Sequence, residues 1–430
     1  MPASPQPPFR RGLRARAWRS LLLTALSLAA AGGCRQAGDD PVIIYLRMGS
    51  PIEQEIWGDM FAAISTKFPE IQVKVLNVPY EGYWSKFFTL TASGNPPDLV
   101  LMESGYYPGF VEKGALLDLT DLIAQSDVIN LEAYHPTPLQ WLTIDGRLYG
   151  PPSDTAIMIP FLNLDQFEAA GVPVPGPDWT WEDYLEIARR LTRDTDGDGD
   201  IDVYGTAQLP WESVIWSFGG DLVDDPAKPT RCTFDDPLTI KAIQWIADAR
   251  LKEGVVASET MQTAQIDPFQ NGQAAIGWNG HWAVPEYTKR ADFKWDVAML
   301  PIGPNGRAIA NFGSCFSIPT RARHPEEAWK LLEFLSGAEG SRIFIDRNIM
   351  TPALRELAAS PAYLDQRPPA HQEYFIAALD HCRSRPQTPA QNELYAMINM
   401  ELELIWAGEE SVQSVCERIS AKGTKILNDR

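Results

Sequence analysis

Five aspartates alternate through one short stretch of this chain: Asp194, Asp196, Asp198, Asp200 and Asp202, with Gly197 and Gly199 among them. Carboxylates at every second loop position converge on a hard cation, and Gly199 falls where a calcium loop needs its sharp turn. The closing position, where such loops carry a bidentate Glu, is Gly205. A complete site therefore needs a carboxylate from elsewhere, and a solvated acidic turn is the competing reading. The expectation is a structural calcium ion with no catalytic part. A second chemistry-bearing stretch runs from Asp267 to Tyr287, DPFQNGQAAIGWNGHWAVPEY. A short apolar run from Ala274 to Trp278 ends at the Asn279-Gly280 turn, and Trp282 follows. A buried strand that ends at a small-residue turn places the next indole at the mouth of a cleft, where open α/β sheets put their ligands.

Motifs for covalent chemistry are missing. Nothing reads as GxSxG, HExxH or a phosphate-binding loop, and the chain has five His. No catalytic residue is expected. Cysteine spacing is not metal-like either. Cys382 and Cys416 are the first pair to test as a disulfide, although Cys315 and Cys416 also read as small buried apolar residues.

The elements that must position these groups alternate. Val42 to Met48 reads as a buried strand, and Ile56, Met60, Ile64 and Phe68 form one helical stripe stopped by Pro69. Gln72 to Val78 is the next strand, Tyr83 to Ser93 the next helix, and Leu99 to Met102 the third strand. This β-α-β-α-β order predicts a parallel sheet with right-handed crossovers. Ligand groups then belong just past the strand ends, at Gly49-Ser50 and at Glu103 to Tyr106. Further on, Thr180 to Asp183 reads as a capping box for a helix from Trp181 to Leu191.

The first 33 residues stand apart. Arg10, Arg11, Arg14, Arg16 and Arg19 precede an apolar stretch from Leu21 to Ala31, then Gly32-Gly33-Cys34. That pattern predicts an export signal over 1–33, with Cys34 lipidated and 34–41 as a tether. Ordinary signal cleavage near Ala31 is the simpler alternative. Removing those five arginines takes the formal charge from −19 to −24. So acidic a chain repels phosphate backbones and anionic headgroups, which argues against nucleic acid and peripheral lipid as partners.

Several blocks in order, GNPPDLVLMES, EKGALLDLTDLI, DGRLYGPPSDT, WTWEDYLEIARRLT, FQNGQAAIGWNGHW and HPEEAWKLLEFLSGAEG, closely resemble the family 1 extracellular solute-binding proteins. These are the sugar-binding lipoprotein or periplasmic subunits of ABC importers. The resemblance spans Val42 to Asn428, with Phe161-Leu162-Asn163 standing where the family usually has Tyr-Tyr-Asn. It implies an α/β, two-lobed periplasmic-binding-protein-like fold (type II-like), each lobe a mostly parallel sheet flanked by helices, with three hinge crossings. These are placed near Pro152-Ser153-Asp154, in Val297 to Pro301, and around Asp346 to Met350. Lobe one is then 42–152 with 298–345, and lobe two 153–297 with 346–430.

It also implies a carbohydrate, an oligosaccharide on the count of aromatics, held between the lobes of a monomer for delivery to the transmembrane subunits of an ABC permease. A secreted carbohydrate-active enzyme, or a binding protein for a non-sugar solute or a chemoreceptor, are the alternatives. Sugars call for aromatic faces and planar polar groups that bond adjacent hydroxyls. Trp282 is the expected stacking residue and Trp278 core. Trp216 and Tyr106 are further aromatic candidates, with Trp211, Trp84 and Tyr83 behind them. Glu103, Ser104 and Asp154 match positions that often touch ligand in the family. Asn279, Asn311 and Arg347 are added contacts, and Ser50 and Gly313 offer backbone approach.

Overall fold

Apolar and β-branched side chains in the run Val42–Met48 pair in parallel with Gln72–Val78, from Val42 beside Gln72 to Met48 beside Val78. The computed structural model describes residues 42–257 and 267–429. Leu99–Glu103 joins the other side of the first strand in parallel, and Ser314–Ser317 closes that edge antiparallel to it. The first sheet thus runs in the order 314–317, 99–103, 42–48, 72–78. Between the first two strands the helix Pro51–Lys67 buries Ile52, Trp57, Met60 and Ile64, and Ser50 caps it by accepting from the Glu53 amide at 3.3 Å. Asp98 is buried without a cation. It accepts from the amides of Ile44 (2.9 Å), Arg323 (2.7 Å) and His324 (3.0 Å), fixing the sheet to the start of the helix Pro325–Ser336.

A second sheet runs 204–206, 274–279, 159–163, 295–297. It departs from the mostly parallel expectation. Ile159–Asn163 is antiparallel to both of its neighbours, and Tyr204–Thr206 is parallel to Ala274–Asn279. Its core is aromatic. Trp278 is 3% exposed and stacks on Trp181 (centroids 5.7 Å apart), and its indole N–H donates to the Tyr184 hydroxyl at 3.0 Å. The capping box at Thr180 and Asp183 starts the helix Trp181–Leu191 as expected. Helices Pro237–Leu251, Gln391–Trp406 and Val412–Asn428 pack into the same core.

The two cores draw the lobe boundaries. One gathers residues from Ile43 to Leu148 and from Cys315 to Ala353; the other gathers Ile157 to Ala310 and Phe375 to Ile419. The crossing expected in Val297 to Pro301 is therefore corrected. Ala298, Met299 and Leu300 are buried in the second core, and the chain passes over at Asn311 to Ser314. The third crossing likewise falls a little later than expected, because Ile349 and Ala353 still belong to the first core. All three segments touch. The Ser153 amide donates to the Ser314 carbonyl (3.0 Å), Phe312 to Ala156 (3.1 Å) and Thr155 to Thr351 (3.0 Å). Cys232, Cys315, Cys382 and Cys416 are all free thiols, so the Cys382–Cys416 pairing is not formed.

Candidate functional site

Glu103 ends the third strand of the first sheet and stands opposite Ser314 on the antiparallel edge. In an antiparallel pair opposite residues share a face, so the Glu103 and Ser314 side chains leave the sheet on the same side. Asp154, in the first crossing, accepts from the Ser314 amide at 3.0 Å, the Ser314 hydroxyl at 2.9 Å and the Ser153 hydroxyl at 3.4 Å. Two carboxyls thus flank one serine at the hinge. Burial and the Asp154 charge push Glu103 up to about 7, with the Tyr80 hydroxyl and the Arg385 guanidinium pulling the other way. Burial also raises Asp154, against the hydrogen bonds from Ser314.

Aromatic surface adjoins this pair. Tyr106 lies face to face on Trp84, centroids 3.7 Å apart and planes within 14°. Its hydroxyl is raised by burial and by Glu103. Tyr80, 55% exposed at the start of the helix Tyr80–Ala92, bonds Glu103 through its hydroxyl.

The second lobe supplies an opposing wall. Arg385 is held by Glu212, its Nε donating to Oε1 at 2.8 Å and its Nη2 to Oε2. Its guanidinium sits 4.1 Å from the Phe312 ring centre and 4.7 Å from that of Tyr395, whose hydroxyl donates to the same Glu212 at 2.6 Å. Stacking and bidentate pairing together fix the orientation of this cation. Its field reaches Glu103 and Tyr80 of the other lobe. The lobes also approach at Gly105, where a side-chain carbon would stand 3.2 Å from Asn392 Oδ1. A groove of about 550 Å³ opens elsewhere between them, walled by Ile52 and Ile56 of one lobe and Val284, Pro285 and Thr288 of the other.

Trp282 stands one turn before that second wall, 40% exposed, with its six-membered ring directly over Gly280. A side chain at 280 would overlap the indole, so glycine is required there by close approach. Glu103, Ser104, Tyr106, Asp154 and Gly313 are brought together as expected: the Ser104 amide donates to the Gly313 carbonyl at 3.3 Å.

Other expected contacts are engaged by neighbours within the protein. Trp216 is 1% exposed, donates to Asp221 Oδ1 at 2.9 Å and lies under Arg383, so it offers no open face. Asn311 is buried and donates to the Thr137 carbonyl at 2.6 Å. Asn279 donates to the Tyr287 hydroxyl at 2.9 Å and accepts from Gly280. The Ser50 hydroxyl is a helix cap, which leaves the backbone approach expected at Ser50 untouched. Arg347 pairs with Asp59 on the rim of the groove. Arg385, Glu212, Tyr395 and Tyr80 escaped the sequence reading. The one signal was a pair of arginines in the Pro-flanked segment Cys382-Arg-Ser-Arg-Pro386 of a very acidic chain.

In the acidic loop, one carboxylate oxygen each from Asp194, Asp196 and Asp202 lies within 4.8 Å of the others. Asp198 and Asp200 stay outside that group. Asp194 also accepts from the Gly197 and Gly199 amides, which hold its carboxyl below the usual range. No carboxylate can replace Gly205, because any side chain there would meet the Ala188 backbone. The expected signal and Cys34 lie outside the described residues, and no helix among the described residues is long and apolar enough to cross a membrane.

Comparison with known proteins agrees with this architecture. A putative binding protein of Brucella abortus is 23% identical over 427 residues, covering 96% of this chain and 99% of the relative. The galactooligosaccharide-binding protein of Bacillus subtilis is 22% identical over 82% of this chain and 83% of its own length. Among solved structures, an ABC substrate-binding protein of Listeria monocytogenes in complex with cycloalternan superposes with a TM-score of 0.83. It is 25% identical, and the match covers 90% of this chain and 99% of that one. The profile of the bacterial extracellular solute-binding proteins matches residues 49–341. With two four-stranded sheets, two large cores and three adjacent crossings around an interlobe cleft, this chain belongs to that family of bacterial extracellular solute-binding proteins.

Proposed function

We propose that the protein captures an oligosaccharide between its lobes and presents it to an ABC permease. The observation that carries this reading is the Glu103–Ser314–Asp154 constellation at the hinge. It combines two hydroxyl-bonding carboxyls with the Tyr80 and Tyr106 rings, and faces the clamped Arg385 of the other lobe. Carboxylates that each accept from two neighbouring hydroxyls, beside flat aromatic faces, suit a polyhydroxylated ring. Trp282 adds an exposed indole on the second lobe. Closure by rotation about the three crossings would bury the ligand and alter the surface offered to the permease.

The reading is tested by thermal-shift and calorimetric titration of the mature chain with di- to tetrasaccharides, peptides and polyamines. A sugar at a hundred times its Kd stabilises by about 2.7 kcal/mol. Stabilisation by peptides or polyamines with no response to any sugar would refute it. Recovery of the sugar intact after long incubation separates capture from hydrolysis. The same reading includes export with a lipid on Cys34 and a monomeric state, tested by mass spectrometry of the mature N-terminus and by light scattering. For the acidic loop it includes a structural calcium ion on Asp194, Asp196 and Asp202, tested by the effect of EDTA and added calcium on thermal stability.

A further inference from the structure

The hinge constellation brings two carboxyls together at one serine with little positive charge committed to them. Asp154 is held by the Ser314 amide and by the hydroxyls of Ser314 and Ser153, all neutral donors. Glu103 receives the neutral Tyr80 hydroxyl. The cation that faces Glu103 from the other lobe, Arg385, is already bound on two edges by Glu212, with the Tyr395 hydroxyl on the same carboxylate. Its charge is therefore shared with Glu212, and only part of it acts on Glu103. Arg383 is likewise committed to Asp221 at 2.6 Å. Two carboxyls thus flank Ser314 at the hinge, and among the described residues the cations that face them, Arg385 and Arg383, are each already paired with an acid.

Two acids that share one serine oppose one another, as the raised Glu103 beside Asp154 shows, and a ligand cation between them relieves that opposition. The neighbouring surface suits the same ligand group. Tyr80 is exposed, and Tyr106 backed by Trp84 presents a fixed electron-rich ring system. An anionic sugar would meet the opposite situation, an acidic pair against its own charge.

Resting on the carbohydrate reading above, we infer that the subsite at Glu103 and Asp154 selects a sugar bearing a protonated amine over a neutral sugar, and excludes uronic acids. The selectivity comes from the carboxyl pair, and the remaining saccharide units are held by the aromatic faces.

The test is calorimetric titration at pH 7 of the wild-type chain with three probes of one linkage: β-1,4-linked triglucosamine, its fully N-acetylated form, and cellotriose. A fourth probe, a β-1,4-linked glucuronic acid trisaccharide, completes the set. The expected result is binding of triglucosamine at least tenfold tighter than of either neutral trisaccharide, and no binding of the uronate. In Glu103→Gln every affinity falls, but that of triglucosamine falls most, so the tenfold ratio shrinks towards one. Thermal melts confirm that the variant is folded, and Asp154→Asn serves as a second variant with the same expected loss of ratio. Equal or tighter binding of the neutral trisaccharides overturns the inference and leaves the carbohydrate reading standing. A ratio unchanged in both variants overturns the assignment to this pair. Binding of none of these four probes overturns the inference, and the carbohydrate reading is then decided by the wider screen of sugars, peptides and polyamines.

Discussion

Glu103 and Ser314 face one another across the antiparallel edge of the first sheet, and the serine gives both its amide and its hydroxyl to Asp154. A strand end of one lobe is thereby joined to the hinge through a single residue. Whatever binds Glu103 also touches the segment about which the lobes turn.

The first prediction concerns pH. Burial beside Asp154 pushes Glu103 up from the ordinary 4.5 to about 7; Tyr80, Tyr106 and Arg385 are the other groups that act on it or feel it. An acid with a raised folded pKa favours the protonated fold. Its contribution is present below the unfolded value and is lost as pH rises from about 4.5 through about 7. Glu103→Gln does not titrate, so its stability relative to wild type should rise over that window by on the order of 3 kcal/mol, while ligand affinity falls. Urea unfolding at pH 5 and pH 8 measures it, and a pH-independent difference would contradict the assignment.

Trp278 and Trp282, four residues apart, should behave oppositely. Trp278 fills the second core, so Trp278→Ala should destabilise by about 3–5 kcal/mol. Trp282 is exposed over Gly280, and Trp282→Ala should change stability by less than about 1 kcal/mol while weakening sugar binding. Melting curves and calorimetry on the two variants decide the matter. Loss of affinity without loss of stability in Trp278→Ala would reverse the roles.

Glu212 holds Arg385 in place. Glu212→Ala removes the bidentate partner of a largely covered guanidinium and the acceptor of Tyr395, with an expected loss of about 3 kcal/mol. Replacing Glu212 and Arg385 together should cost less than the sum of the single changes, which a double-mutant cycle reads directly.

Gly105 marks where the lobes meet. Val in its place would press on Asn392 and Gln391 of the second lobe. The expected outcome is an unchanged melting temperature for the unliganded chain and a weakened sugar complex. Scattering should show a wider lobe angle in that variant, and full closure at wild-type affinity would disprove the contact's role.

Much of this was legible in the sequence. Alternation of strand and helix patterns gave the first sheet, and its strand ends led directly to Glu103, Ser104 and Tyr106. The apolar run before Asn279 separated a core indole from an exposed one, because Trp278 lies within the strand and Trp282 beyond it. The second wall was not legible. Arg385 acquires meaning only through Glu212, 173 residues earlier, and no local pattern pairs residues so distant. The crossing at Asn311 was missed for a similar reason. Ala298 to Leu300 are apolar in either lobe, and tertiary packing alone says which core they enter. Polar residues such as Asn279 and Asn311 fit a ligand site by type, yet their amides are spent on Tyr287 and Thr137.

The late arrival of Ser314–Ser317 at the edge of the first sheet also sets an order of events in the life of the chain. Its partner, the strand Leu99–Glu103, is made about two hundred residues earlier. Until the later strand emerges, that edge is an open row of amides and carbonyls, a template for pairing with a second copy. Pairing across so long a loop is slow. A chain emerging from its N-terminus therefore presents an unfinished sheet until the strand Ser314–Ser317 appears, and a chaperone that shields this edge until then would raise the yield of folded protein.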